Sequence, residues 1–204
     1  MIALIPVKAL ARAKTRLQAH LDVRQRAQLM HDTLRHTIQS LQVSGVVART
    51  VLVSQDEQVA QWARDWRVEV VSEPPQTVGL NSALHAARQM VCDETTALLI
   101  LPGDMAWLEA EDVRGMAEQA AGTPGPFVLI APDRHESGTN ALLLRPPWVI
   151  DFAFGPNSAQ HHAERAQLAH ATVAWYRSSS ISLDIDELSD LHLYEAAPFW
   201  LDSD

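Results

Sequence analysis

Hydrophobic positions along the chain form two kinds of run that take turns. Short apolar runs fall at Ile2–Val7, Thr50–Val53, Val68–Val71, Ala97–Leu101, Phe127–Ala131, Ala141–Leu144 and Thr172–Tyr176. Most lack the polar alternation of a half-exposed strand, which predicts strands covered on both faces. Between the early runs lie stripes with the i, i+3, i+4, i+7 spacing of amphipathic helices. They are Ala27, Met30, Leu34, Ile38 and Leu41; then Val59, Trp62, Ala63 and Trp66; then Ala83, Leu84, Ala87 and Val91. Strand and helix alternate strictly through residue 101, which predicts right-handed βαβ crossovers and a largely parallel sheet with helices on both faces. After residue 122 the turn-rich DRHESGTN, PPW and FGPNS interrupt the rhythm. An antiparallel excursion is expected there, carrying part of the site. No linker, low-complexity segment or repeat marks a boundary, so residues 1–204 read as one α/β domain.

Composition narrows the function classes. Hydrophobic residues make up 47% and charged residues 20%, ordinary usage for a packed globular chain. A net charge of −9 argues against a binder that tracks nucleic-acid phosphates. Any anion must then be met by a local basic cluster or a metal. Cys92 is the only cysteine, which excludes an intrachain disulfide framework and a cysteine-rich zinc site. No apolar run approaches the roughly 20 residues of a membrane span. A cytoplasmic enzyme is expected, and the pattern is compatible with a homo-oligomer.

Ligands of such sheets sit beyond the carboxyl ends of the strands, which directs attention to four places. The first strand runs into IPVKALARAKTRL, whose Lys8, Arg12, Lys14 and Arg16 suit a triphosphate, with a solvated basic turn as the alternative. Lys14 and Arg16 are expected to be exposed. No GxxxxGK[ST] is present, so there is no P-loop. LLILPGDMAW presents Asp104 at a strand tip, where a hard divalent cation finds a carboxylate on a rigid edge; a simple turn is the alternative. In SLDIDELSDL, Asp184 and Asp186 share one face of an extended stretch, about 7 Å apart, and repel unless a cation lies between them. The competing reading makes Asp186 a helix cap before Glu187–Ala196, with Glu187 and Asp190 as first-turn acids.

The fourth place combines SGTN at 137–140 with FGPNS at 154–158. Exposed backbone N–H groups there can line an anion pocket, and Ser158 opens a helical segment whose N-terminus favours phosphate. Ser158 as a plain N-cap is the alternative. His161 and His162 are adjacent and point about 100° apart on a helix, which disfavours one shared zinc; His161 facing the Ser158 turn is a candidate phosphate contact. Tryptophans at 62, 66, 107, 148, 175 and 200 read as packing residues.

Taken in order, IPVKALARAKTRL, GLNSALHAA at 79–87, LPGD, APDRHESGTNALLL at 131–144, FGPNS and LDIDELSDL resemble the 2-phospho-L-lactate guanylyltransferase family over nearly the whole chain. The resemblance implies a single nucleotidyltransferase domain, Rossmann-like and glycosyltransferase-A-like, and GTP and a small phospho-acid as substrates in the synthesis of the deazaflavin coenzyme F-420. It implies Mg2+ at Asp104, Asp184 and Asp186, acceptor phosphate at Thr139, Gly155 and Ser158, and triphosphate at Lys8, Lys14 and Arg16, with Arg12 beside them. Leu80 and Asn81 match the stretch near the nucleotide base. Two departures stand out: Asn157 replaces a second glycine, and Met105-Ala106-Trp107 follows the aspartate. Asn tolerates positive φ, so the turn is expected to survive, with altered acceptor preference.

An acceptor that already carries an ionised phosphate needs no general base. The work left is alignment and charge neutralisation, which explains cations and carboxylates without a nucleophile triad. Phospholactate, phosphoenolpyruvate and 3-phosphoglycerate all fit. The rival readings are a related nucleotidyltransferase with a molybdopterin or sugar-phosphate acceptor, whose glycine-rich N-terminal loop is missing here, and a silent nucleotide-binding regulatory subunit.

Overall fold

In the computed structural model, which describes residues 1–72 and 79–196, the predicted strands appear with ends displaced by a residue or two. They are β1 (Ile2–Pro6), β2 (Arg49–Val53), β3 (Glu69–Val71), β4 (Leu98–Ile100), β5 (Phe127–Pro132), β6 (Thr139–Arg145) and β7 (Thr172–Trp175). The helices are α1 (Val23–Ser44), α2 (Glu57–Trp66), α3 (Leu80–Val91), α4 (Ala110–Gly122), α5 (Ser158–Leu168), α6 (Ser179–Ser182) and α7 (Leu188–Ala196). Among the described residues one sheet runs in the order β3-β2-β1-β4-β6-β5-β7. Pairing is parallel from β3 through β4 and again between β5 and β7, while β6 is antiparallel to both its neighbours. The expected antiparallel excursion is therefore β6 running against the rest. Its start, Thr139, consequently lies at the edge where the other strands end.

Strand side chains alternate between two apolar layers, as a sheet covered on both faces requires. Ala3, Ile5, Leu52, Leu99, Leu129 and Leu143 face one layer with Leu34, Ile38 and Leu41 of α1, Val59 and Ala63 of α2, and Val113 and Met116 of α4. Leu4, Val51, Ile100, Ile130 and Leu142 face the other with Ala83, Leu84 and Ala87 of α3 and Ala159, Ala163 and Ala166 of α5. The predicted stripes supply the contacts of α1, α2 and α3; those of α4 and α5 come from helices for which no stripe was predicted. Helix α1 starts at a reciprocal cap in which Asp22 accepts from Gln25 N–H and the Gln25 side chain accepts from Asp22 N–H, both at 2.9 Å, and it stops at Gly45.

A third, smaller cluster lies under the carboxyl edge and gathers Leu17, Leu29, Ala106, Ile185 and Leu191. Met105 is buried in the main layer, Ala106 lies in the small cluster, and Trp107 packs edge-on against Tyr194. The departure after Asp104 is thus absorbed into packing. Trp62 and Trp66 stack on each other, and Trp200 lies outside the described residues.

Candidate active site

The basic segment after β1 is shaped by its apolar positions. Val7 N–H still bonds Val53 O at 2.9 Å; beyond it come two 3₁₀ turns, Leu10–Arg12 and Thr15–Leu17. Leu10, Ala13 and Leu17 are buried, which turns Lys8, Arg12 and Arg16 outward. Complete burial of a leucine contributes about 2 kcal/mol, enough for Leu17 to anchor the loop. Polar contacts fix the rest. Leu10 N–H donates to the Asp56 carboxylate at 2.8 Å, and buried Arg26 donates to the carbonyls of Ala13 at 3.2 Å and Leu21 at 2.9 Å.

Lys14 departs from the expectation of an exposed cation. Its backbone is left-handed, with φ 51°, and its side chain is only 3% exposed. The ammonium donates to the Asp104 carboxylate and to Ile185 O and lies 3.8 Å from Asp186. The left-handed backbone at Lys14 accompanies a side chain that lies among the acids. Arg16 is 70% exposed, as expected, and pairs with Asp186 at 2.9 Å.

Asp104, Asp184 and Asp186 converge, each offering an oxygen within 4.8 Å of the others. The alternation of LDID explains how: Ile185 is fully buried in the small cluster, so the flanking aspartates face the opposite way. Burial, reinforced by Asp104 and Asp186, pushes the Asp184 carboxyl up to about 6. The capping alternative for Asp186 is not what forms. Asp190, 1% exposed, accepts from Asp186 N–H at 3.0 Å and Glu187 N–H at 2.8 Å, and Arg134 holds Asp190 with two N–H groups. Asp190 was legible only as a first-turn acid, yet its spacing from Glu187 is that of a residue reaching back to a helix start.

A cleft of about 320 Å³ opens against this cluster. Lys8, Arg12, Arg16, Leu80, Asp104 and Asp186 all line it. Segments far apart in sequence are thereby brought together on the carboxyl edge. Asn81 is not. Its amide makes a two-way bond with Phe154, donating to Phe154 O at 2.9 Å and accepting from Phe154 N–H at 2.8 Å. The residue expected near the nucleotide base thus holds the FGPNS turn.

That turn and SGTN meet. Asp133 accepts from the N–H groups of His135 and Ser137 and crowds Gly138, where a Cβ would stand 2.6 Å from its carboxylate; Gly138 is what lets the turn close into Thr139. Gly155 has φ 135° and Asn157 φ 54°, so Asn157 does adopt the positive φ expected of it. It takes the N-cap place of α5, making Ser158 the first helical residue rather than the cap. Ser158, 2% exposed, donates to Thr139 Oγ1 at 3.0 Å. The amides of Ser158 and Ala159 already bond Gly155 O and Ser137 O, while the Thr139 hydroxyl belongs to a partly exposed residue at this turn. His162, not His161, faces it: Nδ1 is 3.1 Å from Thr139 Oγ1, and Nε2 accepts from Ala153 N–H at 2.9 Å. His161 is exposed. The imidazole beside Thr139 is thus that of His162, the neighbour of the candidate His161.

Comparison with known proteins follows the same line. The guanylyl transferase CofC-like family profile matches residues 1–194. The chain is 37% identical over 198 residues to a phosphoenolpyruvate guanylyltransferase of Rubrobacter xylanophilus, covering 97% of this chain and 94% of the relative. It is 32% identical over 193 residues to the 2-phospho-L-lactate guanylyltransferase of Methanothermobacter thermautotrophicus, covering 93% and 81%. A solved nucleotidyl transferase from the latter organism superposes with a TM-score of 0.66 at 15% identity, covering 96% of each chain.

Proposed function

This chain belongs to the CofC-like guanylyl transferase family, and from that premise we propose that it transfers GMP from GTP to a small phosphorylated acid, releasing pyrophosphate, in the synthesis of the deazaflavin coenzyme F-420. The observation that carries the reading is the convergence of Asp104, Asp184 and Asp186 beside a cleft edged by Lys8, Arg12 and Arg16. Relatives are named for phosphoenolpyruvate and for 2-phospho-L-lactate, and either acid, or 3-phosphoglycerate, carries the phosphate that the reaction requires.

The donor set fits a hard divalent ion. It is all oxygen, it is partly buried, and the ammonium of Lys14 already stands among the carboxylates as a cation would. Asp104, Asp184 and Asp186 would hold Mg2+, which when bound neutralises phosphate charge and polarises the phosphorus under attack. Lys8, Arg12 and Arg16 line the cleft and would take the triphosphate, and Leu80 would border the base. Thr139, backed by Ser158, would donate to the acceptor phosphate at the turn shaped by Gly155. An acceptor phosphate oxygen attacks the α-phosphorus and the bond to pyrophosphate breaks; the nucleophile is already ionised, so no side chain removes a proton.

The test is pyrophosphate release with GTP, Mg2+ and each of the three phospho-acids, with ATP, CTP and UTP as alternative donors. GTP with one phospho-acid is expected to turn over at least about tenfold faster than other pairs, the margin one well-made polar contact gives. Absence of release with all three acids overturns the reading. In the same assay Thr139→Val should raise the acceptor KM about tenfold and leave the GTP KM unchanged; the reverse pattern would move the acceptor elsewhere.

A further inference from the structure

His162 is buried, with no exposed surface, and both its ring nitrogens are engaged. Nε2 accepts from Ala153 N–H at 2.9 Å, so it carries no proton, and the proton of the neutral ring sits on Nδ1. Nδ1 is 3.1 Å from Thr139 Oγ1, and that same oxygen accepts from Ser158 Oγ at 3.0 Å. A hydroxyl oxygen has two lone pairs and one hydrogen. With both lone pairs taken, Thr139 can only give its hydrogen away. Thr139 is partly exposed while Ser158 and His162 are not, so the donor is the group left for a ligand.

The neutral state of the ring is secured by its surroundings. Burial, with Arg165 and His161 adding like charge, pulls the imidazole down to about 4. Phe154 lies edge-on against the ring, 4.9 Å between centroids. The backbone that His162 grips at Ala153 is the residue before Phe154, which Asn81 grips from α3. Consecutive residues are thus held from two helices, ahead of the turn made by Gly155 and Asn157.

We infer that His162 is a positioning residue of the acceptor pocket, fixing the Thr139 hydroxyl as an obligatory donor toward an oxyanion and pinning the turn beside it. This rests on the assignment of Thr139 to the acceptor phosphate. An obligatory donor favours a phosphate oxygen over a neutral hydroxyl-bearing ligand that must itself donate, and so selects the phosphorylated form of the acid.

Two substitutions separate the two bonds. In His162→Asn the amide nitrogen falls near the Nδ1 position and keeps a donor for Thr139; in His162→Gln the amide reaches the Nε2 position and keeps an acceptor for Ala153. Steady-state pyrophosphate release is measured with GTP and the phospho-acid that the wild type uses best, alongside thermal melting. His162→Gln is expected to raise the acceptor KM about threefold to tenfold, His162→Asn less, and neither to move the GTP KM. Introduced into Thr139→Val, His162→Gln should change the acceptor KM no further, because it acts through the hydroxyl already removed. If Thr139→Val raises the acceptor KM and His162→Gln does not, the role of His162 is overturned while the acceptor assignment stands. If Thr139→Val leaves it unchanged, the assignment falls and the inference with it. Equal rises in both KM values, or lost melting temperature with both KM values intact, would reduce His162 to a packing residue and also overturn the inference.

Discussion

The two sides of the carboxyl edge are built from opposite materials. On one side charge faces charge: three aspartates, buried Lys14 and exposed Arg16. On the other, neutral groups lock one another: Thr139, Ser158, His162 and the Asn81 amide, without an ion pair in their bonds. The ionic side is poised to exchange partners, since a lysine among carboxylates is displaceable by a cation or a phosphate. Burial, reinforced by the repulsion of its fellow acids, holds Asp184 well above the usual carboxylate range. The neutral side has its donors and acceptors assigned before any ligand arrives, which costs little desolvation and fixes geometry in advance.

Removing a charge from the ionic side is the severest way to break the comparison. Asp104→Asn, Asp184→Asn and Asp186→Asn should each fold and lose turnover by about a thousandfold, since a bound metal supplies several kcal/mol of charge stabilisation. Chelation of the wild type with EDTA should abolish pyrophosphate release, and Mn2+ should restore part of it. Full activity in the Asp184 and Asp186 variants would relocate the metal.

Lys14→Met comes next and tests burial directly. Removing one partner of a buried pair leaves uncompensated carboxylates, a cost of about 3 kcal/mol, so the melting temperature of the metal-free protein should fall. Mg2+ should restore more of it than it adds to the wild type. An unchanged melt would mean that Lys14 is no counter-ion.

The neutral side carries its own pH signature. With its folded value lowered to about 4 from an ordinary 6.5, His162 takes up a proton more readily in the unfolded chain, so stability is complete above pH 6.5 and falls as the pH drops toward 4. The shift amounts to about 3 kcal/mol at most. His162→Asn should flatten that part of the stability curve relative to the wild type, as denaturant melts at pH 4.5 and 7 would register. An equal slope in both proteins would assign the acid sensitivity elsewhere.

Smaller effects sharpen the boundary between the sides. Asn81→Asp puts a second acceptor against Phe154 O and should raise the acceptor KM about tenfold with little change for GTP; a GTP effect instead would return Asn81 to the nucleotide. Arg16→Met, at an exposed pair, should shift stability by less than about 1 kcal/mol while raising the GTP KM. Wild-type GTP kinetics would leave Arg16 a solvated pair.

The ionic side was the more legible of the two in the sequence. Cations and aspartates announce themselves by type and by their places at strand ends, and the alternation of LDID around Ile185 was enough to set two carboxylates on one face. The fold was legible for a related reason: apolar runs and stripes of the right period sit in the order that a parallel sheet needs. What stayed hidden was contact across the sheet edge. Nothing local in HHAER tells His162 from His161, because the helix phase depends on Asn157 taking a left-handed cap. Nothing in GLNSA reveals that Asn81 reaches Phe154, a bond spanning 73 residues. Lys14 looked like its exposed neighbours because burial is decided by the acids it meets, which lie far along the chain.

The order of the sheet has one more consequence, for how the chain avoids its own kind. Its outermost strands are short: β3 spans three residues and β7 four. Open strand edges template the addition of foreign strands, and natural proteins blunt them by brevity and charge. At β3, Glu69 is clamped by Arg49 of the neighbouring strand at 2.7 Å, placing an ion pair on the rim. The long apolar strands β5 and β6, which carry Phe127–Pro132 and Thr139–Arg145 and would be the adhesive ones, are paired on both sides and offer no free rim to an aggregate.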